Sequence, residues 1–366
     1  MVRTVSRAVL LGCWAMLAAP AGAAERPAAP PRVVASIQPV HGLATRLMEG
    51  AGEPVLLVRP GSSPHGYQLR PSEAAALERA DLVFWIGEPL ETFLIRPLAS
   101  LPGKARVLAL TRAPGMELLA TREGGLWAPH DHADHADAGR HGDHAHAGEH
   151  DDHDDHAHAG QHGDHDDHAH AGQHGDHDDH AHAGHHGDHD GENVDGHVWL
   201  APHNARAMAA AMAAALIAAD PARADLYGTN AAALDARLIA LEEELRATLE
   251  PARERPFIVF HDAFGYLEHA FGLAAAGSIT VSPDRPPGAR RLMELRAAIE
   301  ERNAVCVFAE PQTPSRLVQT VVEGTGAGTG ELDPLGTATV APGGDAYEEL
   351  MRRNAAELVR CLSGAG

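Results

Sequence analysis

The sequence predicts an α/β protein of two lobes, each a parallel sheet flanked by helices, joined by one long rigid helix. The main observation is that short apolar strands alternate with helix-like segments in two separate stretches of the 366-residue chain. A run of leucines at helical spacing lies between those stretches. A tract rich in histidine and aspartate also interrupts the first stretch, and its composition predicts a disordered insertion.

The first 24 residues have the pattern of a secretory signal peptide. Arg3 and Arg7 precede an apolar run, Ala8–Ala19, that is too short to span a bilayer, and the small residues Ala21–Ala24 follow it. The sequence ending at Cys13 resembles a lipoprotein cleavage box, but only a very short apolar run precedes it. We therefore expect secretion out of the cytoplasm rather than lipid anchoring.

The first lobe is predicted over residues 31–219. Four apolar strand segments alternate with helical ones in it: Val33–Ile37, Val55–Val58, Leu82–Ile86 and Arg106–Leu110. Strands that are apolar throughout, with helices between them, indicate a parallel sheet covered on both faces. The lobe resumes after the histidine-rich tract and ends with a helix from Pro202 to about Ala219.

The histidine-rich tract covers residues 130–190 and holds 21 of the 27 histidines, with 17 acidic residues against one arginine. The unit HAHAGQHGDHDD begins at His156 and again at His168. The tract carries −16 of the net charge of −22, which leaves −6 elsewhere and no basic surface for nucleic acid. It has no apolar side chain larger than alanine, so it cannot bury enough surface to offset the entropy of ordering. We expect weak zinc sites that gather metal, or an insertion that only adds solubility.

A helix over residues 220–251 is predicted to connect the lobes. Asp220 and Pro221 supply a cap and a first-turn proline, and leucines recur at spacings of three and four until Pro251 ends the run. Gly228 is expected to kink this helix or to delay its start.

The second lobe is predicted over residues 256–366 and repeats the alternation of strands and helices. Its strand segments are Phe257–Phe260, Ser278–Val281, Ala304–Glu310 and Thr337–Val340. Cys306 and Cys361 are the two cysteines that remain after the signal peptide. An even count in an oxidising compartment indicates one disulfide, and two unpaired buried thiols are the alternative.

Three of the six histidines outside the tract lie where α/β folds place ligands, in loops just past strand ends. His65 lies in a loop stiffened by proline and glycine, His197 lies where the tract rejoins the fold, and His261 ends a strand. Asp333 lies among turn-forming residues. Each alone has an ordinary structural explanation, but together they can converge between the lobes. The other histidines are expected to have helix or surface roles: His41, His203 and His269.

Several segments, in the same order along the chain, resemble the signature segments of the zinc-specific solute-binding proteins of bacterial ABC importers, the ZnuA type. They are RPGSSPHGYQLRPS, DGHVWLAP, FHDAFGYLEHAFGL, FAEPQ and LDPLGT. The resemblance runs from about Val33 to Leu362. It implies the periplasmic metal-binding protein fold, a periplasmic location and a monomer. It also implies capture of Zn²⁺ without catalysis and delivery to the membrane permease of a zinc ABC importer.

Carried over residue by residue, the resemblance implies a set of Zn²⁺ ligands and a disulfide. The ligands are His65, His197, His261 and Asp333, and the disulfide joins Cys306 to Cys361. Some members have an acidic residue where this chain has Pro64, and some carry a histidine for a second metal where Ser278 stands. Neutral imidazoles need acceptors that orient them, and the candidates are Asp195, Asp262 and Glu310.

Three imidazoles and one carboxylate suit tetrahedral zinc, whereas manganese prefers more oxygen ligands. The manganese-binding relatives generally have a glutamate where this chain has His261. The alternatives are a manganese or iron carrier of the same fold, or a zinc-dependent hydrolase with water at an open position. The sequence contains no nucleophile elbow, no phosphate-binding glycine loop and no HExxH, so we expect no enzymatic activity.

Overall fold

The computed structural model describes residues 29–101, 105–123, 126–127, 194–280, 287–311, 313, 315–336 and 340–364. The predicted signal peptide and the histidine-rich tract lie outside these residues. Within them the predicted fold class is confirmed, because the chain forms two four-stranded parallel sheets with helices on their faces.

The first sheet has the strand order β2-β1-β3-β4. Its strands are β1 (Val33–Ala35), β2 (Val55–Leu56), β3 (Leu82–Trp85) and β4 (Arg106–Ala109), and its helices are α1 (Gln38–Leu47), α2 (Pro71–Arg79), α3 (Thr92–Ala99) and α4 (Pro202–Ala219). Val33 and Ala35 face the main core, while Val34 faces a second cluster with Leu77 and Leu94. Both faces of the sheet are therefore covered, as its apolar strands require.

One long helix, α5 (Ala224–Leu249), follows a 3₁₀ turn at Pro221–Arg223. It continues through Gly228, where an added Cβ would meet nothing within 4 Å. Its 26 residues span about 39 Å at 1.5 Å per residue. Buried leucines line one side of it: Leu234, Leu238, Leu241, Leu245 and Leu249.

The second sheet has the strand order β6-β5-β7-β8. Its strands are β5 (Phe257–His261), β6 (Ala275–Thr280), β7 (Cys306–Ala309) and β8 (Gly328–Glu331), and its helices are α6 (Gly265–Phe271), α7 (Ala289–Glu301), α8 (Ser315–Val322) and α9 (Ala346–Leu362). The α5 helix packs against α1 of the first lobe and against α9 of the second.

The fourth strand of the second sheet differs from the sequence prediction. It is β8, whereas the predicted segment Thr337–Val340 contributes no described strand: residues 337–339 lie outside the described residues and Val340 is in a bend. The glycines of β8 give it no pattern of apolar residues from which a strand could be predicted, but close packing explains why glycine is present. A Cβ at Gly330 would lie 2.6 Å from the Phe308 ring, so only glycine allows this close approach.

The disulfide between Cys306 and Cys361 is confirmed and joins β7 to α9, with the two Cα atoms 6.0 Å apart. The bond closes a loop between residues 55 positions apart, which stabilises the fold by about 4 kcal/mol on the chain-entropy model. Among the described residues no single helix is long and apolar enough to cross a bilayer. The α4 helix and the segment Pro221–Ala252 meet those criteria only when they are taken together across a bend of 117°.

Glu91, which is fully buried at the start of α3, should make the stability of the fold depend on pH. Burial raises the pKa of its carboxyl group from 4.5 to about 7, although its Oε2 accepts the N–H of Gly87 at 3.0 Å. Between these two values the folded protein keeps a proton that the unfolded chain has lost. The free energy of unfolding therefore falls as the pH rises from 4.5 to 7, by about 3 kcal/mol.

The free energy of unfolding of the Glu91→Gln variant should not fall in this way as the pH rises. The stability of the variant relative to the native protein should therefore be greater at pH 8 than at pH 5. Denaturant unfolding at both pH values measures the difference. The exposed Glu300→Gln variant serves as the control. An equal effect of Glu91→Gln at both pH values would contradict the assignment.

Candidate metal centre

Three predicted ligands are carried by loops at the carboxyl ends of the two sheets or close to them. His65 lies in the loop after β2, and His261 is the last residue of β5. His197 immediately precedes a 3₁₀ turn at Val198–Leu200, where the chain rejoins the described fold. Their rings come together although the residues are far apart in sequence.

The three imidazoles have the spacing of a tetrahedral metal site. One ligand nitrogen from each ring lies within 4.8 Å of the other two. The Nε2 atoms of His197 and His261 are 3.3 Å apart. Two nitrogens bound at 2.0–2.1 Å to a tetrahedral zinc are separated by about 3.3 Å, so this pair already stands at the required distance.

A carboxylate orients each of two rings in the same way. Oδ1 of Asp195 lies 2.7 Å from Nδ1 of His197 and accepts the backbone N–H of that histidine at 3.0 Å. Glu310 Oε1 likewise contacts Nδ1 of His261 and accepts its backbone N–H at 3.2 Å. A proton held on Nδ1 leaves the lone pair on Nε2, which is the atom that faces the other rings.

The protonation of the rings follows from these surroundings. Burial lowers the pKa of His65 well below its usual value, and the neighbouring rings of His197 and His261 lower it further. Burial also lowers the pKa of His261, but the charge and hydrogen bond of Glu310 outweigh it, so the net change is upward. His65 is therefore neutral at neutral pH, as a metal ligand must be.

The walls of the site leave room for little more than one ion. The rings line a cavity of about 20 Å³, which is close to the space that one water molecule needs. Trp199 closes one side and donates its Nε1–H to the carbonyl of Pro334 at 2.8 Å. Tyr347 donates its hydroxyl to the carbonyl of Trp199 at 2.8 Å, so residues of both lobes fix this wall.

Asp333, the fourth predicted ligand, is not grouped with the three histidines. Among the described residues, the cluster of ligand atoms within 4.8 Å of one another contains only the three histidines. Asp333 is buried, and its Oδ1 accepts the backbone N–H groups of Leu335 at 3.1 Å and Gly336 at 2.8 Å. These bonds hold the turn that presents Pro334 and Leu335 to the cavity.

Asp262, a third candidate to orient a ring, pairs with Arg122 instead. The Nε of Arg122 lies 3.0 Å from Oδ1 of Asp262, and both of its terminal nitrogens bind Glu268 at 2.8 and 2.9 Å. The guanidinium also lies 3.5 Å from the centre of the Trp127 ring. The sequence pattern gives no signal for Arg122, which attaches the chain leading to the histidine-rich tract to the second lobe.

Backbone hydrogen bonds hold the described segments on either side of that tract close to the site. Ala120 and Val194 form an antiparallel bridge, and the N–H of Asp195 donates to the carbonyl of Leu119 at 2.9 Å. Closer to the start of the tract, the carbonyl of Leu126 accepts the N–H of Ser278 in β6 at 3.1 Å. Asp195, which orients His197, is therefore positioned by the segments that flank the tract.

Comparison with known proteins identifies the family to which the chain is similar. Residues 33–361 match the family described as "Zinc-uptake complex component A periplasmic", ZnuA. The chain is 47% identical over 331 residues to the high-affinity zinc uptake system protein ZnuA of Brucella suis, covering 90% of this chain and 91% of that protein. It is 41% identical over 350 residues to the ZnuA of Paracoccus denitrificans, covering 95% and 97%.

Solved structures show the same fold. A crystal structure of ZnuA matches 91% of this chain and all of its own at a TM-score of 0.64 and 22% identity. A zinc-bound ZnuA deletion mutant matches at a TM-score of 0.65 and 21% identity, covering 91% and 98%. A manganese complex of FpvC from Pseudomonas aeruginosa matches at 0.65 and 21%, covering 92% and 99%.

Removing either orienting carboxylate should weaken zinc binding while leaving the ligands in place. We expect Asp195→Asn and Glu310→Gln each to lower zinc affinity by about 10- to 100-fold, because the ring then loses the acceptor that holds its tautomer and orientation. Competition with a chelator of known affinity measures the change. Asp81→Asn, which alters an exposed ion pair with Arg32, is the control and should have no effect. Unchanged affinity in both site variants would show that the carboxylates do not orient the ligands.

Proposed function

The chain belongs to the ZnuA family of periplasmic zinc-uptake components, and we propose that it captures Zn²⁺ between its two lobes and delivers it to an ABC importer. In this proposal the protein acts in the periplasm as a monomer and carries out no reaction of its own. It transfers the ion to a permease in the membrane. The chain outside the tract has a charge of only −6, which offers no basic surface for nucleic acid.

The convergence of three imidazoles on one small cavity is the observation that supports this function. The 3.3 Å between the Nε2 atoms of His197 and His261 fits two ligands of one tetrahedral ion. A set of three nitrogen donors favours zinc over manganese, which prefers oxygen. A manganese carrier is the alternative function, because one of the solved structures with the same fold is a manganese complex.

Asp333 is proposed as the fourth ligand. It is buried, and its Oδ1 accepts the backbone N–H groups of Leu335 and Gly336, which fix the carboxylate in the turn beside the cavity-lining Pro334 and Leu335. With Asp333 bound, the protein fills the tetrahedron and leaves no position for a reactive water, which argues against a zinc hydrolase. With water in that place, the ion has only three protein ligands.

The histidine-rich tract is proposed to gather zinc and pass it to the cleft. Its 21 histidines and 17 acidic residues offer many exchanging sites. Each of them must order a segment of chain on binding and is therefore weaker than the preformed cleft. The two segments that flank the tract are joined by the bond from the Asp195 N–H to the Leu119 carbonyl, two residues before His197, so the proposal has the tract release its ion close to that histidine.

Replacing a cleft histidine should abolish tight zinc binding. We expect His65→Ala, His197→Ala and His261→Ala each to lower the affinity of the tightest site by more than about 100-fold, because each removes a direct ligand. Calorimetric titration with zinc and with manganese measures the tight site apart from the weak ones. His41→Ala is the matched control, since that ring contacts the carbonyl of Pro54 instead.

Asp333→Ala should change the absorption spectrum of bound cobalt if the carboxylate is a ligand, and leave it unchanged if water fills that position. Tight manganese binding with weak zinc binding would overturn the zinc assignment. Tight zinc binding that survives all three histidine replacements would overturn the site itself.

Deleting residues 130–190 should leave the affinity of the cleft unchanged and reduce zinc uptake by cells at scarce zinc. The reason is that the tract supplies ions without contributing ligands to the cleft. Uptake of radioactive zinc by cells that express either form measures the effect, and ample zinc provides the control condition. Unchanged uptake at scarce zinc would refute the gathering role and favour an insertion that only adds solubility.

A further inference from the structure

The hydroxyl of Tyr266, a buried side chain on α6, lies between the two segments that flank the histidine-rich tract. It accepts the backbone N–H of Leu119 at 3.0 Å and donates to the backbone carbonyl of Asp195 at 2.9 Å. The same two residues are also bonded to each other, since the N–H of Asp195 donates to the carbonyl of Leu119 at 2.9 Å. One hydroxyl thus attaches both segments to a helix of the second lobe.

The bond from Tyr266 to Asp195 reaches the support of a predicted zinc ligand. Oδ1 of Asp195 lies 2.7 Å from Nδ1 of His197 and accepts the backbone N–H of that histidine at 3.0 Å. The orientation of the His197 ring therefore depends on where the backbone of Asp195 is held. Tyr266 holds that backbone at its carbonyl group.

The same tyrosine lies close in sequence to the ligand of the other lobe. Tyr266 follows His261 by five residues, and the N–H of Ala263 donates to the carbonyl of His261 at 2.9 Å in the turn between them. Tyr266 therefore connects the segment that carries His261 to the residue that orients His197. The Nε2 atoms of these two histidines are 3.3 Å apart, which is the separation of two nitrogen ligands on one tetrahedral zinc.

Arg122 makes a second connection of the same kind. It belongs to the segment that leads to the tract, and its guanidinium binds Asp262, the residue next to His261. Both of its terminal nitrogens also bind Glu268 of α6, at 2.8 and 2.9 Å. The segment that positions Asp195 is therefore joined to the second lobe by a hydroxyl and by a guanidinium.

The start of α6 packs directly against both of these supports. A Cβ at Gly265 would lie 3.3 Å from Oδ2 of Asp195 and 3.7 Å from a terminal nitrogen of Arg122. A side chain at this position would press on the carboxylate, so glycine allows the close approach of the helix. The helix, the carboxylate and the guanidinium form one packed unit.

We propose that Tyr266, assisted by Arg122, is a positioning residue for zinc: it holds Asp195, and through it the His197 ring, at the distance from His261 that one ion requires. This role rests on the proposed zinc capture in the cleft. The two histidines come from different lobes, so a connection between their supports limits how far their nitrogens move apart. Without the hydroxyl the rings separate more readily and the ion leaves faster, because a ligand displaced by about 1 Å binds less well.

The Tyr266→Phe variant removes the hydroxyl and keeps the ring. We expect zinc to leave the tight site about tenfold faster than it leaves the native protein, since the orienting carboxylate loses its own anchor. Transfer of zinc from the full-length protein to excess chelator, followed by stopped-flow spectroscopy, measures this rate as its slowest phase. Tyr227→Phe is the matched control: it removes a buried hydroxyl that donates to Asp220 at 3.0 Å, and it should leave the rate unchanged.

Two further variants distinguish positioning from a general loss of stability. In the Asp195→Asn background, Tyr266→Phe should change the rate by less than about twofold, because the hydroxyl acts through that carboxylate. A general loss of stability would instead have its full effect in both backgrounds. Arg122→Gln should accelerate the loss of zinc as Tyr266→Phe does, and circular dichroism of the metal-free proteins shows that each variant is folded.

Three results would overturn this role. They are loss of zinc at the native rate from both Tyr266→Phe and Arg122→Gln, equal acceleration in the Tyr227→Phe control, and full acceleration by Tyr266→Phe in the Asp195→Asn background. Each of them leaves the proposed zinc capture in place, since the native protein still holds one ion tightly. A native protein without a tight site would refute the zinc capture itself, and this role with it.

Discussion

The hydrogen bonds that two imidazoles donate to two carboxylates are the interactions on which the cleft depends. Asp195 and Glu310 each use one oxygen to hold both the ring Nδ1 and the backbone N–H of a histidine. The ring and the chain beneath it are thereby locked to the same point. The two Nε2 atoms stand 3.3 Å apart, which is the separation of two nitrogen ligands on one tetrahedral zinc.

The strands of both lobes could be predicted from the sequence where they are apolar without interruption, as in Leu82–Trp85 and Phe257–His261. The β8 strand could not, because its glycines carry no hydrophobic signal and reflect contact with Phe308. The three clustered histidines could be singled out because almost all other histidines lie in one tract. The meeting of Tyr266 with Leu119 and Asp195 depends on how three distant elements pack, which no local pattern encodes.

The two lobes are joined by more than the α5 helix. The indole N–H of Trp199 donates a hydrogen bond to the carbonyl of Pro334, and the hydroxyl of Tyr347 donates one to the carbonyl of Trp199. The side-chain amide of Gln38 donates a hydrogen bond to the carbonyl of Gly336 at 3.1 Å. These bonds are buried and cross between the lobes next to the cavity. The main hydrophobic cluster likewise contains residues from both sheets. This arrangement favours local adjustment of loops over a wide opening of the cleft.

The segment that leads to the tract also has a consequence for the edge of the second sheet. β6 is an edge strand of apolar and small residues, and such edges invite pairing with other chains. The carbonyl of Leu126 takes up the N–H of Ser278, and a Cβ at Gly277 would lie only 2.5 Å from that of Leu126. The root of a strongly charged appendage therefore shields the strand that would otherwise be a starting point for aggregation. Cover for this edge and attachment of the tract are in this way built into the same short piece of chain.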